Sequence, residues 1–419
     1  MSEPALRLDP AATATPAPAA SPVLDTAVAQ ADVDLASTLR AIAARHGKTY
    51  QQAMLEIAKA SFGPGRLTFE EYIALRLFDD AQLAGADKSA FVGLEASRSL
   101  WMAANTNSEW WGLMRNKLAV TTLLGGYGFP VIPTLALYSD TLCLRGAPVL
   151  RDPAALATFL RTSDAYPLFA KPMDSQRSLG SAGLDAYQAH DDGLQMSDGQ
   201  VVPVDQFAAD VAKTYSAGYL LQRRVAPHAA VRAIAGERLA TVRVLTILDS
   251  NGPEVLRALW KIPAGSNVAD NYWRSGNLLA TIDLGTGRVV RAVRGSGLAL
   301  EEVTHHPDTG AALIGIEVPN WREVVALAQD AAATLNEVPL IGWDIAAVEA
   351  GALIVEPNFT PDLFMPQLAD RRGMLDARFK AFLATCKARG ERVKARRRFN
   401  VLTSARDGLR RLGRSIAGV

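Results

Sequence analysis

IGWDIAAVEAGALIVEPN, residues 341–358, holds two apolar runs separated by Glu349-Ala350-Gly351. Ile341 to Val348 and Ala352 to Glu356 read as two strands of a hairpin. A turn centred on Ala350 sets Asp344 directly opposite Glu356, with Cβ atoms roughly 5 Å apart. Asn358, two residues on, shares that face when the strand continues to it. Two carboxylates and an amide oxygen make a hard oxygen site, suited to Mg²⁺ bridging phosphates rather than to Zn²⁺. Like charges this close in a sheet repel unless a cation lies between them. The competing reading is two unrelated surface acids, and a one-residue slip turns Asp344 to the other face.

Upstream of the hairpin, a helix from Trp321 to about Leu335 precedes it. Thr241 to Leu248 and Val255 to Ile262 flank Asp249-Ser250-Asn251-Gly252, a second hairpin. Earlier strands are expected at Val131–Tyr138, Pro167–Lys171 and Tyr219–Val225, the first after a helix reaching Gly125-Gly126. Hairpins mixed with helices argue for an α+β fold rather than a doubly wound parallel sheet.

Lys171 closes the apolar strand Leu168-Phe169-Ala170-Lys171-Pro172. Such a lysine can bury its stem and offer its ammonium to phosphate, or simply snorkel at a strand end. The loop that follows, Ser175 to Gly183, is polar and carries glycines, the kind whose backbone N–H groups cover phosphates. It is not a Walker loop, because GxxxxGK[ST] occurs nowhere in the chain. Gly125-Gly126-Tyr127-Gly128 lacks the dinucleotide-binding spacing. Arg243, Arg257 and Lys261 form a third group, cations on strands that look buried. They either pair with Asp344 and Glu356 structurally or neutralise charge on a transferring phosphoryl group. His305 and His306 precede the turn Pro307-Asp308-Thr309-Gly310 and have no metal-ligand partner at helical spacing. Without G-x-S-x-G, H-E-x-x-H or C-x-x-C, hydrolase, zinc and thiol chemistries lose support.

The flanks differ in composition. Residues 1–34 hold ten alanines, five prolines and no aromatic residue, a stretch expected to be disordered. Residues 35–115 read as a helical region: Leu39, Ile42 and Ala43, then Met54, Ile57 and Ala58, keep helical spacing. Thr68 and Glu71 form a capping box there, and Trp101, Trp110 and Trp111 read as packing residues. The central unit spans 116–372, and 373–419 is a basic helical tail. Residues 386–419 carry eleven basic and two acidic side chains. Leu402, Ala405, Leu409, Leu412 and Ile416 give that tail an apolar stripe, for docking on the protein or for peripheral contact with an anionic membrane. The whole chain has 44 basic and 43 acidic residues, a net charge of +1, so no global field draws it to nucleic acid. Two cysteines, no apolar run of membrane-spanning length and no signal-peptide pattern point to the cytoplasm.

In this order the motifs resemble the ATP-grasp superfamily, and within it the sugar-transfer-associated ATP-grasp group related to the α-L-glutamate ligase-like proteins. The resemblance runs from about Asn116 to Arg372. It is carried by Thr241-Val242-Arg243-Val244-Leu245-Thr246, Asp270-Asn271, Ile282-Asp283 to Thr286-Gly287, His306-Pro307-Asp308-Thr309-Gly310, Gly342-Trp343-Asp344-Ile345 and Glu356-Pro357-Asn358 through Gln367. It implies two α+β lobes clasping ATP. Lys117 and Lys171 would contact the phosphates, and the loop with Ser178, Gly180 and Ser181 would close over them. Gln222, Arg223 and Val225 would form the adenine hinge. Asp344, Glu356 and Asn358 would hold Mg²⁺, while Arg243 and Lys261 would face the γ-phosphate or the activated substrate. Three positions depart from relatives: Gln222 stands for an acid, Gly342 for the arginine of D-alanine–D-alanine ligases, and Thr360 for the arginine of the carboxylase branch. The expected activity is a ligase that activates a small-molecule carboxylate as an acyl phosphate for an amine or a sugar-linked acceptor. A kinase acting on a hydroxyl, or a nucleotide-binding scaffold without catalysis, are the alternatives.

Overall fold

The computed structural model describes residues 34–175 and 178–392. The Ala/Pro-rich stretch up to Val33, and the tail with its stripe from Leu402 to Ile416, lie outside the described residues. The chain opens with helices α1 (Leu35–His46), α2 (Tyr50–Phe62), α3 (Phe69–Ala74), α4 (Asp80–Leu83), α5 (Leu94–Ala104), α6 (Glu109–Arg115) and α7 (Lys117–Gly126). Local chemistry starts them. Thr49 with Gln52, and Thr68 with Glu71, form complete capping boxes for α2 and α3, and the Asn116 side chain caps α7.

The first sheet contains β1 (Thr134–Tyr138), β2 (Val149–Leu150), β3 (Leu168–Pro172), β4 (Ala182–Gln188), β5 (Gly193–Met196), β6 (Val201–Pro203) and β7 (Tyr219–Arg223), in the order β2-β1-β7-β3-β4-β5-β6. Helices α8 (Pro153–Thr162) and α9 (Val204–Tyr215) cover one face. Alternation decides what the other face carries. Leu168, Ala170, Ala182, Leu184, Tyr219 and Leu221 enter the helix-covered core. Phe169, Lys171, Asp185 and Gln222, the intervening residues, line the open side.

After α10 (Ala229–Ala235) comes the second sheet: β8 (Thr241–Asp249), β9 (Gly252–Ile262), β10 (Leu278–Ile282), β11 (Val289–Arg294), β12 (Glu301–Glu302), β13 (Leu340–Val348) and β14 (Gly351–Asn358), with α11 (Trp321–Thr334) before β13 and α12 (Phe364–Asp370) at the end. Its order is β12-β11-β10-β9-β8-β13-β14. Val242, Val244, Ala258, Trp260, Ile262, Ile341, Trp343 and Ile345 pack beneath α11, each large apolar side chain stabilising the sheet by about 1.5–3 kcal/mol. Arg243, Lys261 and Asp344 therefore point the other way. One end of that second face is covered by the N-terminal helices and α12, through Leu39, Tyr72, Phe78, Leu259, Leu279 and Phe364. Residues 377–392 are helical and dock by Phe379, Phe382 and Cys386 against Leu245 and Ile247. Arg389, in the basic run, bonds the Asn336 carbonyl at 2.9 Å. Trp101 and Trp111 meet edge to face, 5.6 Å apart, against the core beneath α11. Among the described residues no helix is long and apolar enough to cross a membrane.

The hairpin turns differ from expectation in one detail. Val348 pairs with Gly351, so β13 and β14 turn on two residues, Glu349 and Ala350, rather than three. That shift alone would displace the register, but Val355 is an extra residue between the pairs Ile345–Ile354 and Asp344–Glu356. This bulge restores the alignment, and Asp344 does face Glu356. Gly351 sits at φ +123°, and a side chain there would strike Glu323.

Candidate functional site

The uncovered parts of the two sheets enclose a cleft of 310 Å³. The first sheet supplies Lys171 and Gln222, with Lys117 from the start of α7 and Ser178 and Ser181 from the loop before β4. The second supplies Lys261, Asp344 and Glu356, with Asp270 from the loop between β9 and β10, while Arg223, Arg224 and Val225 lie where the chain leaves β7. Of the residues singled out by sequence, Arg243, Asn358 and Gly180 stand behind the wall rather than on it.

Lys171 is 6% exposed, and its ammonium has no hydrogen-bond or ion-pair partner among the described residues. Burial pushes its pKa down, Glu356 and Asp344 pull against that shift, and Lys117 adds to it. Lys117 itself donates to the Ser175 carbonyl. Gly180 holds the loop in place. It sits at φ +72°, its carbonyl accepts from the Tyr219 hydroxyl at 2.8 Å, and a Cβ would run into Tyr215. Ser178 adopts φ +57°. Gln176 and Arg177 lie outside the described residues.

Gln222 is 2% exposed. Its Nε2 donates to the Ile132 carbonyl at 3.3 Å, and because a carbonyl only accepts, this bond fixes the amide orientation. Its Oε1 is left buried without a partner. Leaving such an acceptor unpaired costs about 1–3 kcal/mol.

Around Asp344 the opposite wall is closely paired. Arg243 forks onto Asp344, Nε to Oδ1 at 2.7 Å and Nη2 to Oδ2 at 2.9 Å. Lys261 lies 3.1 Å from Asp344 Oδ1 and 3.4 Å from Asp270 Oδ1. Burial alone would raise the Asp344 pKa, but Arg243 and Lys261 hold it down at about 2. Burial dominates at Asp270 and raises its pKa, with Lys261 opposing and the Asp344 charge reinforcing. Gly342 makes room for the fork, since a Cβ there would lie 3.1 Å from Arg243 Cδ. Arg257, grouped with Lys261 in the sequence, is elsewhere. It pairs with Asp370 and Asp376 at the covered end of the face.

Glu356 is half-buried and has no hydrogen-bond partner among the described residues, while Asn358 Nδ2 reaches Asp344 Oδ2 at 3.4 Å. Among the described residues no three His, Cys, Asp or Glu side chains converge on an ion. The donor set is two carboxylates and an amide oxygen. It fits Mg²⁺, which keeps waters and phosphate oxygens in its shell and takes few protein ligands.

Sequence reading missed Asp270 as a site residue, and also the Arg224–Asp185–Ser197 cluster, in which Arg224 donates to Asp185 and, at 2.8 Å, to Ser197 Oγ. Asp185 was accessible to pattern reading, as the lone acid among apolar residues of β4. Asp270 stands out only as part of the Asp270-Asn271 motif, and its place beside Lys261 is set by the tertiary structure.

A family model for the sugar-transfer associated ATP-grasp proteins matches residues 104–382. No curated protein matches the chain in sequence. Solved structures with similar chains include D-alanine-D-alanine ligase from Coxiella burnetii (12% identity, 70% of this chain and 62% of that one, TM-score 0.38). Another is PurK, an N5-carboxyaminoimidazole ribonucleotide synthetase, as its ADP complex (13%, 65% and 52%, TM-score 0.36). A third is the ATP-grasp ligase PsnB with a phosphomimetic variant of minimal precursor, Mg and ADP (14%, 68% and 61%, TM-score 0.33). The chain thus spans about three fifths of the length of the first of these.

Proposed function

The chain belongs to the sugar-transfer associated ATP-grasp family, and from that premise we propose that it is an ATP- and Mg²⁺-dependent ligase. A carboxylate oxygen attacks the γ-phosphorus and ADP leaves; an amine then attacks the acyl phosphate, releasing phosphate and forming an amide. One observation carries the reading. Buried Lys171 and half-buried Glu356, neither with a hydrogen-bond or ion-pair partner among the described residues, face one cleft from opposite sheets, where a metal–triphosphate would supply charged partners.

Lys171 and Lys117 hold the phosphates, and the loop pinned at Gly180 lies over them through Ser178 and Ser181. Gln222 Oε1 accepts from the adenine amino group, with Arg223 and Val225 at the base's edge. Glu356, Asp344 and Asn358 hold Mg²⁺, whose charge polarises the phosphoryl oxygens when bound. Lys261 neutralises the charge that develops on the transferring group. Arg243, forked on Asp344, orients that carboxylate and occupies the room left by Gly342, where D-alanine–D-alanine ligases carry their arginine. The acceptor belongs to surface-sugar assembly in this proposal, an aminoacyl or peptidyl modification of a sugar precursor.

The test is ADP formation by the purified protein across amino acids and sugar precursors, with mass analysis of the product. An amide plus ADP is expected. A phosphorylated hydroxyl would replace the ligase with a kinase, and nucleotide binding without turnover across the screen would leave a scaffold.

A further inference from the structure

Asp344 has no vacant lone pair. Oδ1 takes Arg243 Nε at 2.7 Å and Lys261 Nζ at 3.1 Å, and Oδ2 takes Arg243 Nη2 at 2.9 Å and Asn358 Nδ2 at 3.4 Å. A carboxylate offers about four such positions, so a cation reaches Asp344 only when a donor withdraws. The Arg243 fork is bidentate and charge-assisted, and no second acid lies within ion-pair distance of it among the described residues. Turning Asn358 frees a lone pair but leaves the Lys261 ammonium beside the incoming ion, where like charges repel. The charge itself has to move.

Among the described residues, Asp270 is the other acid within ion-pair distance of Lys261. Asp270 Oδ1 is already 3.4 Å away. The other oxygen of Asp270 accepts from the Thr241 backbone N–H at 2.8 Å and from the Thr241 hydroxyl, so the carboxylate is held with Oδ1 turned to the ammonium. Without this second acid, moving Lys261 would strand a buried cation, which a low-dielectric site penalises heavily.

We infer that Asp270 is a positioning residue: it receives Lys261 from Asp344 as the metal–nucleotide enters, clearing Asp344 for the cation while keeping the ammonium in the cleft. The inference rests on the metal assignment proposed above.

Mn²⁺ binding to the full chain at saturating ADP, read from the electron paramagnetic resonance signal of the free ion, tests it without turnover. Asp270→Asn is expected to weaken Mn²⁺ binding about tenfold, the lower range for residues acting through a ligand. Lys261→Met added to Asp270→Asn is expected to recover wild-type binding or better, because the ammonium is gone. Lys261→Met alone, which leaves Asp270 untouched, is expected to tighten it. Unchanged binding in Asp270→Asn overturns the inference. So does a loss that Lys261→Met does not recover, which is what a merely structural Asp270 would give. Glu356→Gln separates the two readings. If it binds Mn²⁺ like the wild type, the metal assignment fails and takes the inference with it; if it loses Mn²⁺ while Asp270→Asn keeps it, only the role of Asp270 falls.

Discussion

Lys171 and Asp344 face the same cleft from opposite sheets, 6% and 3% exposed, yet their surroundings are opposite. The ammonium of Lys171 has no partner among the described residues and its pKa is pushed down, while Asp344 is gripped by two cations and its pKa is held low. Gln222 belongs with Lys171, since its Oε1 is also buried and unpaired. The first sheet thus carries desolvated groups that a ligand would complete. The second carries, around Asp344, a network that completes itself. An unsatisfied wall gains on binding and weakens the empty fold, whereas a satisfied wall stabilises the fold and must rearrange to bind.

Removing one group from each wall should therefore have opposite effects on stability. Arg243→Met strips the fork from a buried carboxylate and should lower the unfolding free energy by about 3–5 kcal/mol in urea titrations. A loss near zero would erase the contrast. Lys171→Met removes an uncompensated charge, so the empty protein should gain about 1–3 kcal/mol while ADP binding by calorimetry disappears. A stability loss instead would mean that Lys171 is paired after all.

Acid sharpens the same difference. The folded pKa of Asp344, about 2, lies below its ordinary 3.8, so its contribution is present above pH 4 and is lost as pH falls from 4 towards 2. The lost amount is about 2 kcal/mol, and Asp344→Asn should flatten that limb of the stability–pH curve. The smallest effect belongs to Gln222→Met. Its preference for ADP over GDP should drop about tenfold, the worth of one buried hydrogen bond, and an unchanged ratio would remove Gln222 from base recognition.

Much of this site was readable along the chain, and the failures have physical causes. The strand-end lysine, the capping box at Thr68 and the Asp249–Gly252 turn follow from local chemistry. The facing of Asp344 and Glu356 was also expected, but the turn was set one residue too long, and the bulge at Val355 compensated. A bulge has no signal in an apolar run such as Ala352 to Glu356. Sequence alone allows Arg243 two readings, because its partner depends on which strand lies beside β8. That neighbour is β13, nearly a hundred residues later in the chain, and it makes Arg243 the partner of Asp344. Arg257 and Lys261 do share a strand face, yet α12 and the helix after it bring acids to the first and leave the second in the cleft.

The sequence by itself determined the two hairpins of the second sheet, the strand-end lysine and the capped helix starts, because turn chemistry, period-two alternation and capping act over a few residues. The tertiary structure decided which charges meet. Asp270 beside Lys261, and Lys171 and Glu356 set across one cleft, arise from strand order and from what covers each half of a sheet, and hydrogen bonds between residues a hundred positions apart leave no local mark.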